Sequence, residues 1–230
     1  MDLRGKTVVV TGAFGTLGVA IAQSAVAAGA MVIAIDRQAQ SQAPAVLEDT
    51  VCIGDVDLMS PAATSTAFTE IADRTGGIDA LVNVAGGFRW EKIEATGIDT
   101  WDLLYALNLK TAVVATKAAL PYMHSGNGRV LFIGAAAAAK AGVGMGAYAA
   151  SKAGVAKLTE SLAEELKDRG ITVNAVLPSI IDTPPNRTDM PDADFSRWVQ
   201  PQQIADAITF LLSDKASAIT GALLPISGRV

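Results

Sequence analysis

A single cysteine and a single histidine are present in 230 residues. With Cys52 alone, no internal disulfide and no cysteine zinc site can form. Its setting, Val51-Cys52-Ile53, reads as a strand carrying a buried, inert thiol. His124 follows Pro121-Tyr122-Met123 near a glycine-rich turn and reads as a surface-loop residue, which excludes Ser-His-Asp chemistry. At Asp189, Asp192 and Asp194 the acids are few and no histidine is near, so no metal site is expected. Aromatic residues make up 5% and charged residues 18% of the chain. A formal net charge of −5 without any basic cluster argues against nucleic acid or an anionic membrane as partner. The most apolar run, Val130 to Ala139, falls short of the roughly 20 residues a membrane helix needs. Arg4 and Lys6 lead directly into a strand rather than an apolar core and cleavage site, so no signal peptide is expected. These absences predict a soluble, cytoplasmic protein.

Half of the residues are apolar and the mean hydropathy is +0.35. That balance predicts a parallel sheet buried on both faces, in one domain spanning residues 1–230. Strands are predicted at 6–10, 31–35, 51–54, 79–84, 129–133, 171–177 and 222–226. Helices are predicted from the glycine loop to about Ala28, at 61–74, from Thr100 to about Met123, from Tyr148 to about Arg169, and at 201–212. Residues 37–49 hold Pro44 and too little periodic pattern for a full crossover helix. Strands and helices alternating without a linker predict a single-domain, Rossmann-type, doubly wound α/β fold.

The first βαβ unit carries the clearest chemistry. Its first turn reads Thr11-Gly12-Ala13-Phe14-Gly15-Thr16-Leu17-Gly18, and its second strand ends at Asp36. Glycines in that turn let the backbone approach a pyrophosphate, whose charge the helix N-terminus favours. Asp36 is suited to accept hydrogen bonds from a ribose diol and repels a 2′-phosphate, which favours NAD over NADP. Arg37, free to swing towards a phosphate, leaves NADP open.

Tyr148 and Lys152 are four apart in a run of good helix formers, one turn apart on one face. A fixed ammonium beside the phenol is expected to lower its pKa towards useful proton transfer.

With these pieces the chain resembles the short-chain dehydrogenase/reductase family over essentially its whole length. The resemblance rests on the Thr11-Gly12 loop, Asp36, Asp55-Val56, Asn83-Val84-Ala85-Gly86, Asn108, Tyr148-x-x-x-Lys152, Pro178 and Thr183. It implies an NAD(P)H-dependent oxidoreductase in which Tyr148 exchanges a proton with substrate. Lys152 would bind the nicotinamide ribose and acidify Tyr148, and Asn108 would hold a water linking Lys152 to solvent. Gly12, Phe14, Gly15, Thr16, Leu17 and Gly18 would contact the cofactor phosphates, and Asp36 and Arg37 the adenosine ribose. Asp55 and Val56 would flank adenine, and Asn83, Ala85 and Gly86 would line the cofactor. Pro178, the Ile181 backbone and Thr183 would position the carboxamide.

Three positions depart from the family pattern. Thr16 stands where glycine is usual, Ser179 follows Pro178 where glycine is usual, and Ala135 stands thirteen residues before Tyr148, where the family has a catalytic serine. Residues 134–147 contain no hydroxyl at all. Losing such a donor costs roughly 2.7–4 kcal/mol of transition-state stabilisation. One branch of the family, the quinonoid dihydropteridine reductases, is similar in lacking this serine. It is similar too in Val84-Ala85-Gly86-Gly87 followed by an aromatic, and in the segment from Asp182 to Trp198. That resemblance implies an electron-poor imine as substrate and a short substrate loop at about 184–200. A carbonyl or alcohol dehydrogenase without the serine, or a non-catalytic NAD(H)-binding sensor, are the alternatives.

Phe88, Trp90, Phe195 and Trp198 are candidates for an aromatic wall against a flat substrate, or equally for edges of the core. Arg187 with Asp189, Asp192 and Asp194 reads as a solvated loop face. Apolar excess on the long helix from Thr100 and on the Tyr148 helix predicts a homodimer, with a homotetramer also compatible.

Overall fold

A computed structural model describes all 230 residues. Seven strands form one sheet: β1 (Thr7–Thr11), β2 (Met31–Ile35), β3 (Val51–Ile53), β4 (Ala80–Asn83), β5 (Arg129–Ile133), β6 (Thr172–Pro178) and β7 (Leu223–Ile226). Their spatial order is β3-β2-β1-β4-β5-β6-β7, and every pairing is parallel. β1, β5 and β6 are buried along their whole length, as expected where helices cover both faces.

Side chains alternate between two cores. Val8 and Val10 pack with Ile21 and Ala25 of α1 (Thr16–Ala27) and with Ile204, Ile208 and Leu211 of α7 (Pro201–Leu212). Val9 and Leu81 face the opposite way, towards Phe68 and Ile71 of α2 (Pro61–Thr75). Ala112 and Ala115 of α4 (Thr111–Ala119) and Val155 and Ala163 of α5 (Gly146–Leu166) share that second core. The period of two along a strand makes one apolar run serve both layers. Each fully buried Val, Leu or Ile contributes about 1.5–3 kcal/mol before the entropy of ordering is subtracted. Two short elements complete the set, α3 (Ile98–Tyr105) and α6 (Pro184–Asp189).

β1 and β4 are neighbours although β2 and β3 lie between them in sequence. The strand order therefore reverses beyond the C-terminal ends of β1 and β4, where open α/β sheets bind ligands. The Thr11 hydroxyl accepts from the N–H groups of Val84 and Ala85 at 3.2 and 3.4 Å, tying the two strand ends together there.

Residues 37–49 form two 3₁₀ turns, Gln40–Gln42 and Ala45–Leu47, instead of a crossover helix. The predicted long helix from Thr100 starts at Ile98 and runs to Tyr122, but it is not uniform. A π-turn at Ala106–Lys110 separates α3 from α4, and a 3₁₀ turn closes it. By length and composition alone this 25-residue stretch is as long and apolar as a membrane helix, as the core helix of a soluble protein also is. In this fold Ala112, Ala115 and Ala119 instead pack into the second core.

Candidate active site

A cleft of about 930 Å³ opens at the reversal point and runs from β2 to α6. Gly12, Gly15, Leu17, Gly18, Asp36 and Arg37 line one end, with Val56, Ala85 and Gly86 further along. Tyr148, Lys152, Pro178, Ile181 and Thr183 line the other.

The glycine turn is shaped by close backbone approaches. Gly12 has φ +62°, and a Cβ there would lie 2.8 Å from the Cα of Ala85. A Cβ on Gly18 would collide with the Gly12 carbonyl and Ala13, so this glycine lets α1 pack onto the turn. At Gly15 the nearest atom to an added Cβ is the Gly12 carbonyl at 3.6 Å, so packing leaves room for a methyl group. Asp36 accepts from the N–H of Phe14 at 3.0 Å and of Gln38 at 3.0 Å, leaving its remaining lone pairs for a diol. A bare backbone turn at a helix N-terminus, an anchored carboxylate and a cleft of this size fit a nicotinamide dinucleotide.

Five expected cofactor or catalytic residues do not line the cleft. The Phe14 side chain is buried in the first core, and only its N–H reaches Asp36. Thr16 opens α1 as an exposed residue. Asp55 is exposed and has φ +59°, while its N–H is bonded to the Gln38 carbonyl; Asp57, Leu58 and Met59 join Val56 at the cleft in its place. Asn83 lies beneath the floor, reaching Thr116 and the Leu131 carbonyl at 3.5 Å, because the end of β4 is covered by α4.

Asn108 is the fifth, and its side chain makes three hydrogen bonds within the protein. Its Oδ1 accepts from the N–H of Gly87 at 2.9 Å, and its Nδ2 donates to the Gly87 carbonyl and to Ser151 Oγ, both at 3.0 Å. Both amide hydrogens are therefore in use and not free for a water. Asn108 instead clamps the strand-end loop, so closely that a Cβ on Gly86 would lie 2.6 Å from Oδ1.

Tyr148 and Lys152 sit in the first two turns of α5, as the spacing predicted. The Lys152 side chain reaches the cleft floor, where Nζ donates to the Ile133 carbonyl at 2.7 Å. A Cβ on Gly86 would lie 3.5 Å from the same Nζ. The electrostatic expectation is overturned for the protein alone. Burial pushes the Tyr148 phenol up to about 12 and the Lys152 ammonium down to about 8. Both shifts have one cause, loss of water around the charged form. The phenol is therefore held protonated at neutral pH.

Phe88 stands edge-on to Tyr148, with ring centroids 4.9 Å apart at 85°. It is the one residue of the predicted aromatic wall that lines the cleft. Trp90 packs on Gly144, whose added Cβ would touch the indole. Trp198 is buried, tilted against Phe195 at 4.7 Å, and Arg187 lies 4.8 Å over the Phe195 ring. Arg187 also forms a bidentate pair with Asp182 at 2.6 and 2.7 Å, so it braces its segment while remaining exposed, as Asp189, Asp192 and Asp194 are.

Beyond Phe88 and Tyr148, the cleft wall is Ala135, Ala136, Ala137, Met145 and Met190, with Lys140 at the rim. Ala135 is 5% exposed and brings no donor. The Ser179 hydroxyl, also on the cleft, donates to the Ser227 carbonyl at 2.7 Å. Asn186 Nδ2 is used on the Ile181 carbonyl at 2.8 Å. Ala135 and the glycines were readable from their motifs. Asp57 and Lys140 carry no such signal, because only the folded loops bring them to the cleft, whereas Met190 lies in the segment from Asp182 to Trp198 read as a substrate loop.

Comparison with known proteins supports the same reading. The D-beta-hydroxybutyrate dehydrogenase of Rhizobium meliloti (strain 1021) is 31% identical over 97% of each chain. The 3-oxoacyl-(acyl-carrier-protein) reductase FabG of Vibrio cholerae is 32% identical over 99% of this chain and 98% of its own. A short chain dehydrogenase from Burkholderia cenocepacia J2315, solved in complex with NADP, superposes with a TM-score of 0.91 at 33% identity, covering 99% and 98% of the two chains. Residues 6–194 match the short chain dehydrogenase family. The chain belongs to the short chain dehydrogenase family and is an NAD(P)H-dependent oxidoreductase.

Proposed function

We propose that this protein is an NADH-preferring reductase of electron-poor conjugated substrates, with a quinonoid dihydropterin as the most specific candidate. The observation that carries this reading is Ala135, a buried methyl group on the cleft where the family resemblance calls for a hydroxyl donor. A ketone being reduced develops negative charge on oxygen and benefits strongly from a second donor. A conjugated imine passes its electrons into the ring system and needs less.

The protonation state of Tyr148 is compatible with reduction. Tyr148, pushed up by burial, carries its proton at neutral pH, as a donor to the reduced substrate must. When bound, the nicotinamide supplies the hydride. The Tyr148 O–H bond breaks as its proton passes to the substrate nitrogen, and Lys152, one turn along the same helix, supplies positive charge to the phenolate left behind. Gly12, Gly15 and Gly18 would hold the pyrophosphate and Asp36 the adenosine ribose. The Asp36 carboxylate supports NADH over NADPH by charge repulsion.

The relatives named for 3-oxoacyl and hydroxybutyrate substrates favour a second reading, a carbonyl dehydrogenase of the same mechanism. NADH oxidation by the purified protein, measured over quinonoid dihydropterin, quinones and 3-oxo acids, separates the two. Turnover of pterin well above the carbonyls supports the first reading; carbonyls or quinones without pterin overturn it. Ala135→Ser should raise ketone turnover and leave imine reduction nearly unchanged.

A further inference from the structure

We infer that Ser151 is a positioning residue for the reaction, coupling the Tyr148–Lys152 helix to the loop that carries Gly86, Gly87 and Phe88. Ser151 is 5% exposed and lies within the Tyr-x-x-x-Lys span, yet it does not line the cleft. Its Oγ accepts from Asn108 Nδ2 at 3.0 Å and donates to the Tyr148 carbonyl at 2.7 Å.

The direction of this chain of bonds is settled by chemistry. Asn108 Nδ2 can only donate, so the serine hydroxyl must send its one hydrogen elsewhere, and Tyr148 carbonyl receives it. With Nδ2 directed at Ser151, Oδ1 faces the Gly87 N–H, and the amide has one orientation that satisfies all three partners. Gly87 is held through both its N–H and its carbonyl. Its neighbours are Gly86, against the Lys152 ammonium, and Phe88, whose edge meets the Tyr148 ring. Ser151 thus joins the two sides of the site from behind. The loop reaches Tyr148 from the front through Phe88, and α5 reaches the loop from the rear through Ser151 and Asn108.

The π-turn at 106–110 belongs to the same arrangement, because it contains Asn108. π-turns of this kind recur at functional sites. A hydroxyl bonded to a carbonyl one helical turn back is by itself a common local contact. The second bond, across 43 residues of sequence to a committed amide, is what such a local contact does not require.

The inference rests on Tyr148 acting as proton donor, and the variants keep the two apart. Turnover unchanged in Tyr148→Phe overturns the role of Tyr148, whatever Ser151 does. Ser151→Ala and Ser151→Thr would be compared with wild type by NADH fluorescence titration, kcat, the pH profile of kcat and melting temperature. The alanine variant should lose about tenfold in kcat, the order expected when neutral positioning bonds are lost. Its alkaline limb should move to lower pH as Phe88 ceases to cover Tyr148, and the threonine variant should recover both. In an Asn108→Ala background, adding Ser151→Ala should change kcat less than twofold, because the coupled pair acts as one. Unchanged kcat and pH profile in Ser151→Ala, or a lowered melting temperature with neither property altered, would overturn the inference. So would failure of threonine to restore them. If Asn108→Ala does not fold, the alanine–threonine comparison decides alone.

Discussion

Lys152 rests its ammonium on the carbonyl of Ile133, 2.7 Å away at the end of β5, and not on the phenol it is paired with in sequence. That carbonyl immediately precedes Gly134 and Ala135, so the cation is anchored beside the place where the hydroxyl donor is missing. A carbonyl satisfies one of three ammonium donors, which leaves two for a bound ribose.

This arrangement predicts a pH dependence of cofactor binding. Burial holds Lys152 down to about 8, so its charge is present below that value and lost as pH rises through it. NADH affinity should be level from pH 6 to about 7.5 and fall above about 8, by less than tenfold since a neutral amine still donates. Lys152→Met should bind more weakly at pH 7 and show no inflection near 8. Fluorescence titration across this range is the check.

Two glycines of the cleft should respond in opposite ways to alanine. Gly86→Ala would press a methyl group to 2.6 Å from Asn108 Oδ1 and 3.5 Å from Lys152 Nζ, breaking the clamp on Gly87. A stability loss of about 1–3 kcal/mol is expected, together with loss of turnover. Gly15→Ala meets only the Gly12 carbonyl at 3.6 Å, so its melting temperature should stay close to wild type. Its methyl group would occupy space on the cleft that we assign to the pyrophosphate, and NADH affinity should fall by about tenfold or more. Melting curves and titrations of the two variants side by side test this.

The segment over the cleft should loosen in acid. Asp182 is held down to about 2, first by its hydrogen bond from Arg187 and then by that from Gln200. With an unfolded value of about 3.9, its contribution is fully present above that pH and is lost as pH falls through the folded value. Trp198, tilted against Phe195, over whose ring Arg187 lies, should report the change in its fluorescence between about pH 4 and 2. Asp182→Asn should abolish that transition, leave the segment loosened already at neutral pH, and raise the KM for substrate more than that for NADH.

Cofactor choice should turn on one charge. Asp36→Asn keeps an acceptor for the Phe14 or Gln38 N–H and removes the negative charge. The ratio of NADPH to NADH efficiency should rise by about tenfold or more, the scale of a 1.4 kcal/mol electrostatic term. A ratio that does not move would reject the NADH preference.

Much of this protein was readable from its chain because the signals are local. The β-branched runs at 7–11 and 31–35, the glycine spacing between them and Asp36 each follow from steric and hydrogen-bonding rules that act over a few residues. Alternating runs of this kind leave few topologies, so the doubly wound sheet and the position of its crevice followed as well. Tyr148 and Lys152 came within one turn of each other by helix geometry alone, and Ala135 announced itself by what it lacks. What needed the tertiary structure was everything that depends on burial and on contacts distant in sequence. Spacing placed an ammonium beside a phenol, but burial decided their protonation, because removing water costs the charged form of both. Asp55 and Asn83 sit in motif positions yet turn away from the cleft, one through a left-handed backbone and the other under α4. Whether Trp198 faced a substrate or the edge of the core, and that Arg187 pairs with Asp182, only packing decided. The Ser151–Asn108–Gly87 linkage has no sequence signature, since its partners lie 43 and 21 residues apart and meet only when the sheet and α5 have closed.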